Sequence, residues 1–395
     1  MDLRLSESES AFRHDLRTWL AATLPVLPPA PRRDDWTGRR AYDTGWQRRL
    51  HEAGYAGVDW PAESGGRGSS PVEQLIYLEE TARPGVPYVG VNFVGLLHAG
   101  PTIIAEGTPE QRRRHLPRIL SGEEVWCQGF SEPAAGSDLA ALRTTAVRDG
   151  DSYVVRGQKT WSSFAQVADY CELLVRTDPD AAKHKGITWL ILPMDLPGIE
   201  IRPMRTLAGS AEFAELFLDD VRVPVANRIG AENDGWRVAM VTLRFERGTA
   251  FAGDLVSCLR LLRELAVLAR ASEAVWGDGA LRRELGRLHA ELAALWSLTK
   301  WNVSQSRSGV PGIGGSVVKL RFSELRQRLF EAAAAVLGPA ALAMSDLGGP
   351  PSGRYARERL SSLSYTIAAG SSQIQRNIIG ERILGLPREP DTASR

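Results

Sequence analysis

Apolar residues recur along this chain with two rhythms, helical at both ends and strand-like between. Up to about Gly122 they repeat at helical spacing. Phe12, Leu16, Trp19 and Leu20 share one helix face. Ser6 and Glu9 stand ahead of them at capping-box spacing, and Pro25 stops the run. Ser70-Pro71-x-Glu73 and Thr108-Pro109-x-Gln111 repeat a start signal: a capping hydroxyl, proline in the first helical position, then an acid or amide. "PVLPPAPRRDD" reads as a proline-rich loop and "PAESGGRGSSP" as a glycine-serine connector.

From about Glu123 to Glu232 the period shortens. "DSYVVRGQKTW", "CELLVRT", "GITWLILPM", "IEIRPM" and "AELFLDDVRVP" are short β-branched and aromatic runs separated by turn residues, and "RDGDS" opens a hairpin. This stretch predicts an antiparallel sheet or barrel. From about Asn233 helical spacing returns. Leu281, Leu285, Leu288, Leu292 and Leu295 form one stripe; Leu320, Leu325, Leu329, Ala333 and Val336 form a second. Long helices with such stripes pack as a bundle. The expected fold class is α+β. It has an N-terminal α-helical domain over 1–122, a middle antiparallel β domain over 123–232 and a C-terminal four-helix-bundle-like domain over 233–395.

Composition narrows the function. The chain has 395 residues, enough for two or three domains with a substantial core, and 43% apolar and 24% charged residues are ordinary for a globular protein. A net charge of +1 gives no electrostatic reason to expect nucleic acid or an anionic membrane as partner. No run approaches the ~18 apolar residues of a spanning helix. The N-terminal "MDLRLSESESAF" lacks the basic-then-apolar pattern of a leader, so the expected compartment is the cytoplasm. Cys127, Cys171 and Cys258 are far apart and read as small buried hydrophobes. The six histidines make no i, i+4 pair around an acid, so no metal is expected. "GIGGSVV" lacks both a preceding strand and the spacing of a dinucleotide loop. "RRDDWTGRR" and "QRRRH" read as solvated faces.

Three stretches carry chemistry. Ser131 to Asp138, within "WCQGFSEPAAGSDLAALRTTA", is small and polar where the chain enters the sheet domain. Such a loop lets backbone N–H groups approach a flat polar ring or a phosphate; on composition alone, a tight structural turn accounts for it as well. In "GQKTWSSFAQVADY", Trp161 and Ser163 are two residues apart, which puts both on one side of a strand. An aromatic wall beside a hydroxyl fits a planar redox ring. "TIAAGSSQIQ", Thr366 to Gln375, offers hydroxyls and amides but no acid, lysine, arginine or histidine. Any base acting beside it must come from elsewhere.

The chain at this point resembles the acyl-CoA dehydrogenases, flavoproteins with an α-helical, a β and an α-helical domain. "GTPEQRRRHLPRILSGEEVWCQGFSEPAAGSDLA", "GQKTW", "FLDDVRVPVANRIGAENDGW", "LRFERGT", "SVVKLRFSELRQRL" and "IAAGSSQIQRNIIGERILGLPR" follow the family's order and spacing over nearly the whole chain. The resemblance implies FAD as cofactor. Phe130 and Ser131 would then contact the isoalloxazine, Trp161 would stack beside it and Ser163 would face its N5 side. Ser137 would lie where flavin phosphate and thioester meet, and Ser371 and Gln373 would hold FAD. The Ala369 N–H would hydrogen-bond the thioester carbonyl together with an FAD ribityl hydroxyl.

The implied reaction removes a proton from Cα and a hydride from Cβ of an acyl-CoA, giving the trans-2-enoyl-CoA. Many members of the family carry the base in the loop just before the Gly-Ser run, where this chain has Ala369. Others carry a glutamate next to an arginine early in the C-terminal domain. Glu246-Arg247 matches that arrangement, so Glu246 is the expected base, with Arg247 positioning it or binding substrate. Ala134 replaces a frequent glycine. "ARASEAVWGDGALRR" lacks the arginine and phenylalanine with which many members reach a neighbouring subunit's FAD, and "AAAAVLGPAALA" lacks a frequent glutamine. The expected electron acceptor is an electron-transferring flavoprotein. The expected assembly is a homodimer or homotetramer, or a hetero-oligomer with a paralogous subunit. A carrier-protein-bound acyl thioester is the alternative substrate.

Overall fold

The computed structural model describes residues 4–245, 251–307, 314–345 and 352–387. The chain forms two compact units. One comprises Glu7–Tyr77 and Pro84–Glu246; the other comprises Met1–Ser6, Leu78–Arg83 and Arg247–Arg395.

The first unit opens with helices α1 (Glu7–Thr23), α2 (Trp36–Glu52), α3 (Pro71–Thr81, of which the residues from Leu78 on belong to the other unit), α4 (Gly100–Glu106) and α5 (Pro109–Ser121). The starts of α3 and α5 are set by side chains near in sequence. Ser70 and Glu73 exchange hydrogen bonds, Ser70 N–H to Glu73 Oε2 at 2.8 Å and Glu73 N–H to Ser70 Oγ at 3.2 Å. Thr108 and Gln111 do the same ahead of α5. These reciprocal bonds satisfy N–H groups that no preceding helical turn can reach. Gly122 ends α5 with φ +77°, and a Cβ there would stand 3.1 Å from the Gln47 side chain. On α1, Phe12, Leu16 and Leu20 are buried, and Trp19 packs its ring 5.5 Å from Trp46 and 5.3 Å from Tyr55.

The sheet follows with β1 (Trp126–Gly129), β2 (Thr145–Asp149), β3 (Ser152–Ser163), β4 (Tyr170–Arg176), β5 (Ile187–Pro193), β6 (Ile199–Met204), β7 (Phe213–Pro224) and β8 (Arg228–Ile229). Spatial order is β6-β7-β3-β2-β4-β5-β8, with β1 beside β4. The expected hairpin pairs β2 with β3 from Thr145↔Arg156 to Asp149↔Ser152. The antiparallel expectation holds for β2–β3, β3–β7, β4–β5, β5–β8 and β6–β7. It fails at β4, which runs parallel both to β1, with Trp126↔Tyr170 and Gly129↔Leu173 in register, and to β2, at Thr145↔Arg176. Between β1 and β4 the whole β2–β3 hairpin intervenes and returns the chain to its starting end, which is the kind of long connection a parallel pair needs. Tyr153, Val155, Cys171, Leu173, Val175, Leu190, Leu192, Leu216, Val221 and Val223 fill the core on one face. Helix α6 (Gly235–Phe245) packs on β5 and α4.

The second unit is helical: α7 (Ala252–Arg270), α8 (Glu273–Gly277), α9 (Gly279–Arg307), α10 (Gly315–Leu337), α11 (Ser352–Ser362) and α12 (Ser372–Ile378). Helix α10 packs against α7, α9, α11 and α12. Leu285, Leu288, Leu292 and Leu295 from α9 and Leu325, Leu329 and Ala333 from α10 lie in one core with Leu255, Leu262 and Phe322. Leu281 and Val336 close its edges. All three cysteines are reduced and buried.

Candidate active site

Beyond β1 the chain passes through the small-residue loop. Phe130, Glu132 and Ala135 are buried, Ser131 is half-buried, and Pro133, Ala134 and Gly136 to Asp138 are exposed. A tight turn is present: Glu132 N–H donates to Ala135 O at 3.1 Å and Ala135 N–H to Glu132 O at 3.0 Å. Among the described residues, the N–H groups of Ser131, Gly136 and Ser137 have no protein acceptor. So the stretch is both a structural turn and a row of free donors. Asp138 pairs with Lys183 at 2.7 Å, tying the far end of the loop to the β4–β5 connection.

What holds the near end is a buried pair that the sequence reading missed. Lys159 of β3 is fully buried, and its Nζ donates to Glu132 Oε1 at 2.8 Å and to Phe130 O at 3.2 Å. Glu132 also accepts from the N–H groups of Arg143 at 2.7 Å and Thr144 at 2.8 Å. Burial opposes the charge on the Glu132 carboxyl, but Lys159 and these donors more than offset it, and the group lies below its ordinary range. Burial draws the Lys159 ammonium down as well, against the pull of Glu132. The signal was one of parity. Tyr153, Val155 and Lys159 alternate on the core-facing side of β3, so a lysine at that position needs a buried partner.

At the end of β3 the ladder with β7 slips. Lys159 pairs with Leu216 and Ser162 with Ala214, so β3 holds one extra residue there. Trp161 takes φ +61°, lies 58% exposed and meets Phe213 edge-on, with ring centroids 5.7 Å apart. Ser162 is buried, and Ser163 beyond it is half-buried. A bulge next to a left-handed tryptophan is strain of the sort found at ligand sites, because it aims a large ring outward. Thr160 N–H donates to Ser131 O at 2.9 Å, which brings the Phe130–Ser131 segment alongside the Trp161–Ser163 segment.

In the helical unit the acidless loop connects α11 to α12. Ala369 and Gly370 both have left-handed backbones, at φ +51° and +82°. Ala369 is exposed, and among the described residues its N–H has no protein acceptor. Ser371 caps α12 by accepting from Ile374 N–H at 3.3 Å, and Gln373 is exposed on the first turn. Gln375 Nε2 donates to Ala369 O at 3.1 Å and Gly370 O at 3.3 Å. Gln327 Nε2 donates to Thr366 Oγ1 at 3.0 Å. Lys319 Nζ, from α10, donates to Tyr365 O at 2.8 Å and Gly370 O at 2.7 Å. Glu246 and Arg247 lie outside the described residues. The helix leading to them, α6, is fixed by a buried 2.7 Å hydrogen bond between the hydroxyls of Thr242 and Thr102. No described helix is long and apolar enough to cross a membrane.

Comparison with known proteins gives a consistent result. Residues 6–123, 127–221 and 233–384 match the models for the N-terminal, middle and C-terminal domains of acyl-CoA dehydrogenase. The chain is 41% identical to the acyl-CoA dehydrogenase IpdE1 of Mycobacterium tuberculosis, over 96% of this chain and 98% of that protein. Among solved structures it is similar to the Tcur3481-Tcur3483 steroid ACAD, with a TM-score of 0.86 and 33% identity over 98% of this chain and all of that one. It is also similar to the ChsE4-ChsE5 complex from Mycobacterium tuberculosis, with a TM-score of 0.82 and 37% identity over 98% and 100% of the two chains.

Proposed function

The chain belongs to the acyl-CoA dehydrogenase family and is an enzyme of that kind, and from that premise we propose an FAD-dependent α,β-dehydrogenation of a bulky acyl-CoA with Glu246 as base. The observation that carries the reading is the co-linear similarity over 96% of the chain to a protein named acyl-CoA dehydrogenase. The family implies a flavin. The residues of the first unit fit a flat polar ring: an outward-facing indole at Trp161, N–H groups at Ser131, Gly136 and Ser137 that have no protein acceptor among the described residues, and the Ser163 hydroxyl. Phe130, Ser131, Ser137, Trp161, Ser163, Ser371 and Gln373 are the residues that would hold it. When bound, FAD supplies the acceptor for the β-hydride.

The protein's own part begins with the thioester carbonyl. The free Ala369 N–H donates to its oxygen and stabilises the negative charge that develops there as the α-proton leaves. Glu246 takes that proton; an apolar setting brings such a carboxylate toward working pH. Ser137 and Arg247 contact the remainder of the thioester. Electrons leave to an electron-transferring flavoprotein. The substrate class to try first is steroid-derived acyl-CoA, because one similar structure is named a steroid ACAD. Two similar structures are named as pairs of different chains, which favours assembly with a paralogous subunit.

The test is anaerobic bleaching of the purified yellow protein with a panel of acyl thioesters, on CoA and on carrier protein. A steroid-derived acyl-CoA should bleach it. Glu246→Gln should keep FAD and lose ~10²–10⁴ in turnover. Near-normal turnover in that variant would refute the base.

A further inference from the structure

The loop at Ala369 has no charged residue of its own, yet its conformation is strained and specific. The charge that holds it comes from beneath. Lys319 stands on α10 with 2% of its surface exposed, and two of its three ammonium donors are committed to backbone carbonyls, Tyr365 O at 2.8 Å and Gly370 O at 2.7 Å. Among the described residues it makes no ion pair. Burial pulls its pKa down to about 8, so keeping a cation there opposes folding, and packing alone does not account for it.

The two carbonyls bracket the turn. Tyr365 lies four residues before Ala369, and Gly370 follows it directly. Gln375 draws the carbonyls of Ala369 and Gly370 the same way. With carbonyls 365, 369 and 370 all turned inward, and Ala368 N–H bound to Ser364 O at 2.8 Å, planar trans peptides leave little freedom in between. The Ala369 N–H is left exposed and without a protein acceptor among the described residues.

We propose that Lys319 is a positioning residue: by gripping the Tyr365 and Gly370 carbonyls it holds the Ala369 N–H as a preset donor to the thioester oxygen of the substrate. This rests on the assignment of Ala369 N–H as that donor. A donor fixed before the charge develops needs no reorganisation during reaction, and that is the source of its catalytic value.

The experiment replaces Lys319 with methionine, which keeps the apolar length and removes the donors. Hydrogen–deuterium exchange on the ligand-free protein reads the loop directly. In Lys319→Met, residues 366–371 should exchange about tenfold faster while α9 is unchanged. Binding supplies the second readout, using the acyl-CoA that bleaches the wild-type flavin and its S-alkyl-CoA thioether, which lacks the carbonyl. The variant should weaken the thioester about tenfold and leave the thioether within about twofold. Unchanged loop exchange, or equal losses for both ligands, would overturn the proposal. Should Lys319→Met not fold, Lys319→Arg keeps charge and donors; its loop exchange should stay within about threefold of wild type, and a tenfold rise would overturn the proposal equally. If no thioester bleaches the flavin while loop protection is lost in Lys319→Met, the dehydrogenase reading fails and the hold of Lys319 on the loop stands.

Discussion

Replacing Lys159 with methionine keeps the length and apolar stem of the side chain and removes its charge and donors. Glu132, buried beside it, loses its ion-pair partner but keeps the N–H groups of Arg143 and Thr144 at 2.7 and 2.8 Å. Breaking one side of a buried pair costs about 3–5 kcal/mol. Two retained charge-assisted bonds place this case at the lower end, so we expect about 3 kcal/mol at pH 7. For a unit of this size that is a fall in melting temperature of about 6–12 °C, read on the flavin-free protein by circular dichroism. The pH dependence has a definite sign. Glu132 is held below its ordinary value of 4.5 in the folded state. It therefore adds stability at pH values above 4.5, and that stability is lost as pH falls through the folded value. The gap between wild type and variant should accordingly narrow in acid. The double variant Lys159→Met with Glu132→Gln should cost about 1–3 kcal/mol less than the sum of the singles, because each single leaves the other partner exposed to the same penalty. A loss under about 1 kcal/mol at pH 7, or strict additivity, would refute the account of how the Phe130–Ser131 segment is held.

Two further substitutions probe the elements next to the site. Thr242→Val should destabilise by about 1 kcal/mol, since it leaves the buried Thr102 hydroxyl without its 2.7 Å partner; chemical denaturation reads this, and Thr102→Val in the same background should add little. Ser371→Ala removes the cap of α12 and should also cost about 1 kcal/mol, with a measurable loss of retained flavin on gel filtration.

The parts of this fold that were legible are those set by neighbours in sequence. The caps at Ser70 and Thr108 act over three residues, and the leucine stripes of α9 and α10 repeat within one helix, so pattern alone places them. Strand β1 escaped because four residues that are nearly all buried have no alternation to detect. Its parallel pairing with β4 depends on how a hairpin returns the chain, which no local window contains. The site divides in the same way. Small residues, a tryptophan two residues before a serine and an acidless turn are visible in the sequence. The bulge that turns Trp161 outward is a register shift between β3 and β7, and the partners of Lys159 and Lys319 lie 27–29 and 46–51 residues away.

The two buried lysines answer one physical requirement. A loop that turns free N–H groups toward a ligand must turn carbonyls the other way, and trans peptides enforce that opposition. Those carbonyls then face an interior where water is excluded and the neighbouring helix or strand has already used its own N–H groups. An ammonium on a long apolar stem can reach them from an adjacent element, with a donor for each. Lys159 does this for Phe130 O, across the peptide from the Ser131 N–H, with a carboxylate beside it; Lys319 instead grips Tyr365 O and Gly370 O, on peptides flanking the one that carries the Ala369 N–H, without a carboxylate among the described residues. The difference follows from the loops. The Ser131–Asp138 loop contains Glu132, whose backbone and side chain can both turn inward. The turn at Ala369 has no acid to offer, so its lysine is held by carbonyl dipoles alone and lies near pKa 8, where the first has a counter-charge. The turn at Ala369 is thus held from a separate helix, and its own side chains stay small.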